Sequence, residues 1–600
     1  MSPDAIKFRF SDYFWPFGVS LVCGCAGLYG ATLALFSVGI SLTPWHGMAF
    51  LSAAFTGSLF GLGGDFHRRV KQALAVLMFQ LLLCGTLAGV ASRYDDLTYD
   101  GMNVRIEPVI NLMAGWNPVL DPDFVERENL ARAHPFLSGG HNHQPTSGAV
   151  LAGYFANLTG EVNAGKAVTP ILALAAFGIA FGALISIGVD RGWAVALAAL
   201  AALNPVGIYQ SSSFYVDGHI SAYFAIALFA GLCAIQASRI NLETAVFFLG
   251  LLLLAGGKIS GFFYGLLLFL LFFLLWTARF YRHLRILTVG AALFLVGAGI
   301  LFIAKERGGF GGVSTFAKDY IHKGVDFVDG AKGYKAWAPG LGRGENPGRL
   351  RVFFNAHFSP TAAMADEPVQ LKFPFWFNRR ELAVFEDLSP QPIVGGFGPL
   401  YGAYFVLSAL SLLMIRKKPP MVSWVPLIAS FGSIYFSQIW WARWTPQAWL
   451  IPLGFLLPVI CALHGEPPGK KWVLPFLATF TGLLNSILIL AFYTSGCLKA
   501  QAILQSQLSY LHTLPQPLLV HMPLQTNMAL RINEPLFRSN RIWFIRENLD
   551  FVLTEDPPPR PRMKLYRTGT QVGLPQGSDP ARQLEPQVWR RWAPWKLVEL

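Results

Sequence analysis

Carboxylates and cations that stand at the edge of apolar runs are the residues of this 600-residue chain most suited to chemistry. Asp95, Asp96 and Asp100 follow directly on one such run, and Gly115-Trp116-Asn117-Pro118 comes fifteen residues after Asp100, a short helix away. A carboxylate held there, with a helix-length and a Gly-Trp-Asn-Pro stop behind it, suggests an active site and not a linker. Lys166, Asp217, Lys258 and Arg443 are the only charges left once those of the inner loops and large outer segments are set aside. Each falls at the outer end of an apolar run. Ionisable groups that border membrane spans are costly, and they pair or line a polar cavity. Four at one depth point to a single outward-facing site. Asp217 could pair with Lys258. The plainer alternatives are a solvated acidic turn for the three aspartates and charges snorkelling to the headgroup layer for the other four.

The elements that must position these residues are membrane spans. Only 14% of the residues are charged and 53% are hydrophobic, well below the roughly 25% charge of soluble domains. Apolar runs long enough to cross roughly 30 Å of hydrocarbon number about thirteen, near residues 16–42, 46–63, 72–91, 167–188, 192–209, 215–237, 243–256, 259–277, 286–304, 397–415, 421–440, 446–464 and 472–493. The fold expected is therefore an all-α polytopic membrane domain over 1–493. A small α/β domain over 494–600 would follow it, with strands at 518–521 and 551–554 after an apolar helix around 504–514. No cleavable leader is expected, because the first run is long and lacks a small-residue cleavage pattern.

Short loops rich in Lys and Arg stay cytoplasmic. An N-terminus inside puts fifteen such residues in inner loops, against Lys258 and Arg443 at short outer turns. That orientation leaves 92–165, 305–396 and the tail outside. It also explains most of the net charge of +13, so the basicity argues for topology and not for nucleic acid. The first outer segment is in fact acidic, with nine carboxylates against four arginines. Five of the six cysteines lie in apolar runs and read as small core residues. No phosphate-loop pattern indicates use of ATP.

Within the first outer segment, Met102–Ala114 reads as a weakly amphipathic helix stopped by Gly115 and Pro118. A second apolar helix, Ala149–Leu158, follows His141-Asn142-His143-Gln144-Pro145. Both helices would lie on the membrane surface, as suits a substrate whose reactive end emerges from lipid. His141 and His143 could bind a divalent metal, but His-x-His lacks a third ligand at recognisable spacing, so no cofactor is indicated. Trp116, Trp440, Trp441 and Trp444 suit an interfacial aromatic belt as well as a sugar platform. The glycine-rich segment 305–396 is long enough to be functional or partly folded.

The order of these motifs resembles the GT-C superfamily of polytopic glycosyltransferases, which includes the protein O-mannosyltransferases and lipid A aminoarabinose transferases. The resemblance spans roughly residues 70–465. It is carried by Tyr99-Asp100-Gly101, Gly115-Trp116-Asn117-Pro118, Pro145, Leu158-Thr159-Gly160 and Lys166, then by Tyr215-Val216-Asp217-Gly218, Gly395-Gly396-Phe397-Gly398-Pro399-Leu400 and Trp441-Ala442-Arg443-Trp444-Thr445-Pro446. It looks closest to bacterial members tied to surface polysaccharide. The resemblance implies a polyprenyl-phosphate-sugar donor, a glycan, lipid or protein acceptor, and a periplasmic active site in the inner (plasma) membrane. Asp100 would be the base, with Asp96 the second candidate. Arg443, Lys258 and Lys166 would face the donor phosphate, and Asp217, Tyr215, Trp116, Arg105, His141 and His143 would line the substrate site. The chain departs from the pattern in having three spans before the acid, Gly101 where a second acid is common, and Arg105 where related sequences often have His. Rival readings are a polymerase or ligase of lipid-linked glycans, and a transporter or flippase of lipid-linked sugars. The latter would place charges near the midplane.

Overall fold

The computed structural model describes residues 13–98, 101, 105–120, 146–236, 241–279, 341, 349–363, 369–388, 392–434, 439–467 and 469–521, with 544, 547–554, 558, 562–565 and 571–576 in the tail. Among the described residues seven helices are long and apolar enough to cross a membrane: Phe14–Ser37, Phe66–Ala91, Val162–Ser186, Asp217–Gln236, Ser260–Thr277, Pro446–Leu463 and Lys470–Leu511. Shorter apolar helices cover Arg191–Ala202, Leu242–Gly257, Tyr401–Met414 and Met421–Ile434, and Gly47–Gly61 forms another helix of fifteen residues. The run at 286–304 lies outside the described residues.

In chain order the α-helices are α1 (Phe14–Ser37), α2 (Gly47–Gly61), α3 (Phe66–Ala91), α4 (Glu107–Met113), α5 (Ser147–Thr159), α6 (Val168–Ser186), α7 (Arg191–Ala202), α8 (Pro205–Tyr209) and α9 (Asp217–Gln236). There follow α10 (Leu242–Gly257), α11 (Ile259–Arg279), α12 (Arg349–His357), α13 (Arg379–Glu386), α14 (Tyr401–Ser411), α15 (Val425–Ile434), α16 (Leu450–Leu463) and α17 (Val473–Leu511). Local chemistry sets several of the ends. Asp65 caps α3 by accepting from the Arg68 amide at 2.9 Å, and Thr146 caps α5 by accepting from the Ala149 amide at 3.1 Å. The run expected as one span at 192–209 is instead two helices. Asn204 caps the second, and Pro205 opens it with a ring that fits only a helix start.

Small residues decide how closely the helices approach. A Cβ on Gly18 of α1 would lie 2.8 Å from the Ile179 amide nitrogen, and one on Gly178 of α6 would lie 2.4 Å from the Phe14 carbonyl oxygen. The two helices therefore meet backbone to backbone, as small residues permit in membrane bundles. The core surrounds α9, whose apolar side chains are buried along its whole length.

The loops sort into two sets. At one end Asp95 bonds Gln501, the Ser41 hydroxyl donates to the Gly115 carbonyl at 2.6 Å, and Gly496 of α17 packs against the Glu386 carbonyl. At the other end Glu466 bridges Lys417 and Lys471, and Trp193 stacks on Trp472 at 5.3 Å. Parts of all three large segments thus meet at one end of the bundle, opposite the Lys417, Glu466 and Lys471 cluster.

Two expected features differ. Helix α5 is buried from Ser147 to Ala156, packed inside the bundle and not lying on its surface, and α4 is mostly buried as well. The boundary expected at 493 falls within α17, one unbroken helix of 39 residues. Beyond it, four short strands β1 (Leu518–His521), β2 (Phe551–Leu553), β3 (Arg562–Lys564) and β4 (Gln571–Gly573) form a sheet in the order β2-β1-β4-β3. The β1–β2 pair is parallel, with Leu519 opposite Val552, and both other pairs are antiparallel.

Candidate functional site

Asp217 begins α9 and gathers two cations from distant parts of the chain. Its Oδ1 accepts from Lys258 Nζ at 2.7 Å, and its Oδ2 accepts from Arg443 Nε at 3.1 Å and Gln210 Nε2 at 3.2 Å. Gln210 also accepts the Gly218 amide through Oε1 at 2.9 Å, which fixes its amide across the start of α9. Asp217 and Arg443 are buried, and the Lys258 side chain is 13% exposed. Charges at that depth demand partners, and removing one member would strand the others in low dielectric.

The sequence brings Lys258 there by a break. Lys258 is an extended residue (φ −158°) between α10 and α11. The glycines before it allow the turn to sit close, since a Cβ on Gly256 would lie 2.6 Å from the Tyr29 hydroxyl and one on Gly257 2.7 Å from Ile220 Cδ1. Aromatic rings surround the cations. Lys258 Nζ lies 4.0 Å from the centre of the Trp444 ring, and the Arg443 guanidinium lies 4.8 Å from Tyr215 and 4.9 Å from Trp441, distances at which ring quadrupoles attract a cation. Trp440 stacks on Trp441 at 5.1 Å. Trp440 and Trp441 are buried, so these two line the interior and are not part of a lipid-facing belt. Arg105 is near enough to act electrostatically on both Asp217 and Lys258.

A second cluster organises the acidic turn. Asp96 Oδ1 accepts from the Thr98 amide at 3.0 Å and the Thr98 hydroxyl at 2.6 Å, and Oδ2 accepts from the Phe214 amide at 2.8 Å. Burial pushes this carboxyl above the usual range, against the pull of nearby Lys166 and of the Thr98 and Phe214 donors. Asp95 is held by Asn163 at 2.9 Å and by Gln501 at 3.1 Å. Asp95 and Asp96 are buried, which replaces the alternative of a solvated turn for these two residues. The described contacts of Lys166 lie with this turn: its ammonium donates to the Tyr94 carbonyl. Of the four isolated charges, three thus form the Asp217 triad, and Lys166 serves the neighbouring cluster. Phe214 joins the clusters, standing three residues from Asp217 while its amide binds Asp96.

Asp100, His141 and His143 lie outside the described residues. Trp116 is buried and packs in the core, behind the stop made by Gly115 at φ +90°. Among the described residues no group of three His, Cys, Asp or Glu side chains could hold a metal. Two neighbours escaped the sequence reading, Gln210 and His219. A polar pair in an apolar stretch, seven residues apart in the case of Gln210 and Asp217, was the available signal. His219 bonds Thr169 at 2.9 Å and lines a cavity of about 10 Å³ with Arg105, Thr146, Phe214 and Val216, room for about one water.

No known family model, curated protein or solved structure matches this chain.

Proposed function

We propose that the protein is an integral membrane glycosyltransferase of the GT-C type. It moves a hexosyl or pentosyl group from a polyprenyl-phosphate carrier to an acceptor hydroxyl on the outer face of the inner membrane, in building or modifying cell-surface glycan or glycolipid. In this reading the chain has about thirteen spans, a cytoplasmic N-terminus and a periplasmic site, with the tail on the periplasmic side. The observation that carries it is the gathering of Lys258 and Arg443 on Asp217, among Tyr215, Trp441 and Trp444, at the end of the bundle where the acidic turn also lies. Cations fixed before the reaction lower the cost of charge developing on a departing phosphate. The place of the buried triad at one end of the bundle also favours an enzyme over a transporter with midplane sites.

The acceptor oxygen bonds the sugar C1 as the bond from C1 to the phosphate oxygen breaks. That electron pair leaves on the polyprenyl phosphate, held by Arg443 and Lys258, while the acceptor proton passes to a carboxylate. Asp100 is the base in this reading. The Asp96 oxygens already accept three hydrogen bonds, which suits Asp96 to tying its own turn to Phe214.

The test is turnover of defined polyprenyl-phosphate sugars by purified protein, read as release of the lipid carrier. Asp100→Asn should lower turnover by roughly 10²–10⁴-fold with folding intact. Full activity in that variant would sink the assignment.

A further inference from the structure

Within the second outer segment runs a loop whose surface does not suit water. Leu371, Phe373, Phe375, Trp376 and Phe377 are all exposed, Trp376 by 69%, and Arg379 and Arg380 follow directly, exposed as well. These side chains do not point outward through slackness. Glu381 is buried, accepts the Thr361 amide at 2.9 Å and pairs with Lys372. The Lys372 amide donates to the Phe358 carbonyl at 3.0 Å, and Asn378 caps α13. The loop is thus pinned at both ends, and its apolar residues are presented outward.

Its depth is fixed too. A Cβ on Gly402, in the first turn of the apolar helix α14, would lie 3.5 Å from Pro374. That turn is at the end of the bundle that carries the triad, because Pro392, shortly before it, accepts the Trp441 indole N–H at 3.1 Å. Leu350 and Phe354, one helical turn apart on α12, extend the exposed apolar surface, and Phe354 packs toward Phe405 of α14. Aromatic rings beside arginines at the end of an apolar helix have the composition of the membrane–water interface.

From this we infer that residues 371–380 are seated in the interfacial layer of the bilayer, with the rings among the upper acyl chains and Arg379 and Arg380 on anionic lipid headgroups. Anionic headgroups, and not zwitterionic ones alone, are the partner because two adjacent exposed guanidiniums carry no acid between them and suit phosphate contact. The inference does not depend on the glycosyl-transfer reading.

The experiment places a nitroxide at Trp376→Cys in the full chain with its native cysteines replaced by alanine. The chain is reconstituted in nanodiscs of phosphatidylcholine, with or without phosphatidylglycerol. Collision with lipid-soluble oxygen should exceed collision with a water-soluble nickel chelate several-fold, and phosphatidylglycerol should draw the label deeper. Arg379→Gln with Arg380→Gln should abolish the phosphatidylglycerol effect. Dominant nickel collision would put the loop in water, and exclusion of both reagents would mean that protein, such as a second copy, covers it; either result overturns the inference. Depth independent of phosphatidylglycerol overturns the headgroup assignment. Should the cysteine-free parent not fold, quenching by brominated lipid is compared between the native chain and Trp376→Phe. A smaller quenched fraction in that variant supports the inference, and unchanged quenching overturns it.

Discussion

At the residue scale, the site depends on one carboxylate satisfying two cations. Asp217→Ala would leave Lys258 and Arg443 buried together without their shared acceptor, a change that costs about 3–5 kcal/mol where buried pairs are broken. Thermal unfolding in detergent should therefore show a clear loss of stability in Asp217→Ala, and a melting curve like that of the native chain would mean that the triad does not hold the bundle. Glu466 offers a pH test at the opposite end. Its contacts with Lys417 and Lys471 hold its carboxyl down to about 2, below the roughly 4.3 of a free Glu. A depressed folded value stabilises above the unfolded value and is lost as pH falls through the folded one. Native protein should thus lose stability between pH of about 4.3 and 2 more steeply than Glu466→Gln, and parallel curves would exclude the effect. Asp217, Lys258 and Arg443 were legible in the sequence because charge is so scarce in apolar runs that each exception stands out. Gln210 and His219 were not, because uncharged polar residues occur in many spans for local reasons.

At the scale of elements, helices were read well where one helix fills one apolar run, and less well where a break serves the site. The break at Lys258 was visible as Gly256-Gly257-Lys258, whereas the split at Asn204-Pro205 was hidden in a run of even hydropathy. The expectation for α5 failed for a different reason. An apolar helix of that length has no sequence mark that separates lying on lipid from packing among other helices, and its glycines decided the outcome. Gly148, Gly153 and Gly165 of the following turn let His219, Leu112 and the Ala152 backbone approach. The same logic governs the α1–α6 crossing. Gly178→Ala places a methyl group against the Phe14 carbonyl, and overpacking of this kind costs about 1–3 kcal/mol. A reduced yield of monodisperse protein on size exclusion is expected, and an unchanged profile and melting temperature would show that the crossing has slack.

For the whole molecule, the grouping of loops was the most legible feature, since the segments around Asp95, Gly115 and Glu386 gather at one end of the bundle and those around Lys417, Glu466 and Lys471 at the other. The domain boundary was less so, because α17 stays helical past the point where its composition turns polar. This continuity makes a prediction. A chain ending after Leu514 keeps Gln501 beside Asp95 and should purify as a stable bundle. A chain ending after Ser495 loses Gln501, Cys497 and the Gly496 contact with Glu386 and should lose stability in the same detergent. Equal stability of the two would show that the outer half of α17 is dispensable to the bundle. The length of this helix carries a mechanical consequence. At about 1.5 Å per residue it is a rod of about 58 Å, nearly twice the hydrocarbon thickness. A tilt of about 10° about its inner end would swing its far end by about 10 Å. With Gln501 bonded to Asp95 and Tyr493 to Ser212, a tilt of this rod would be felt at both of those turns.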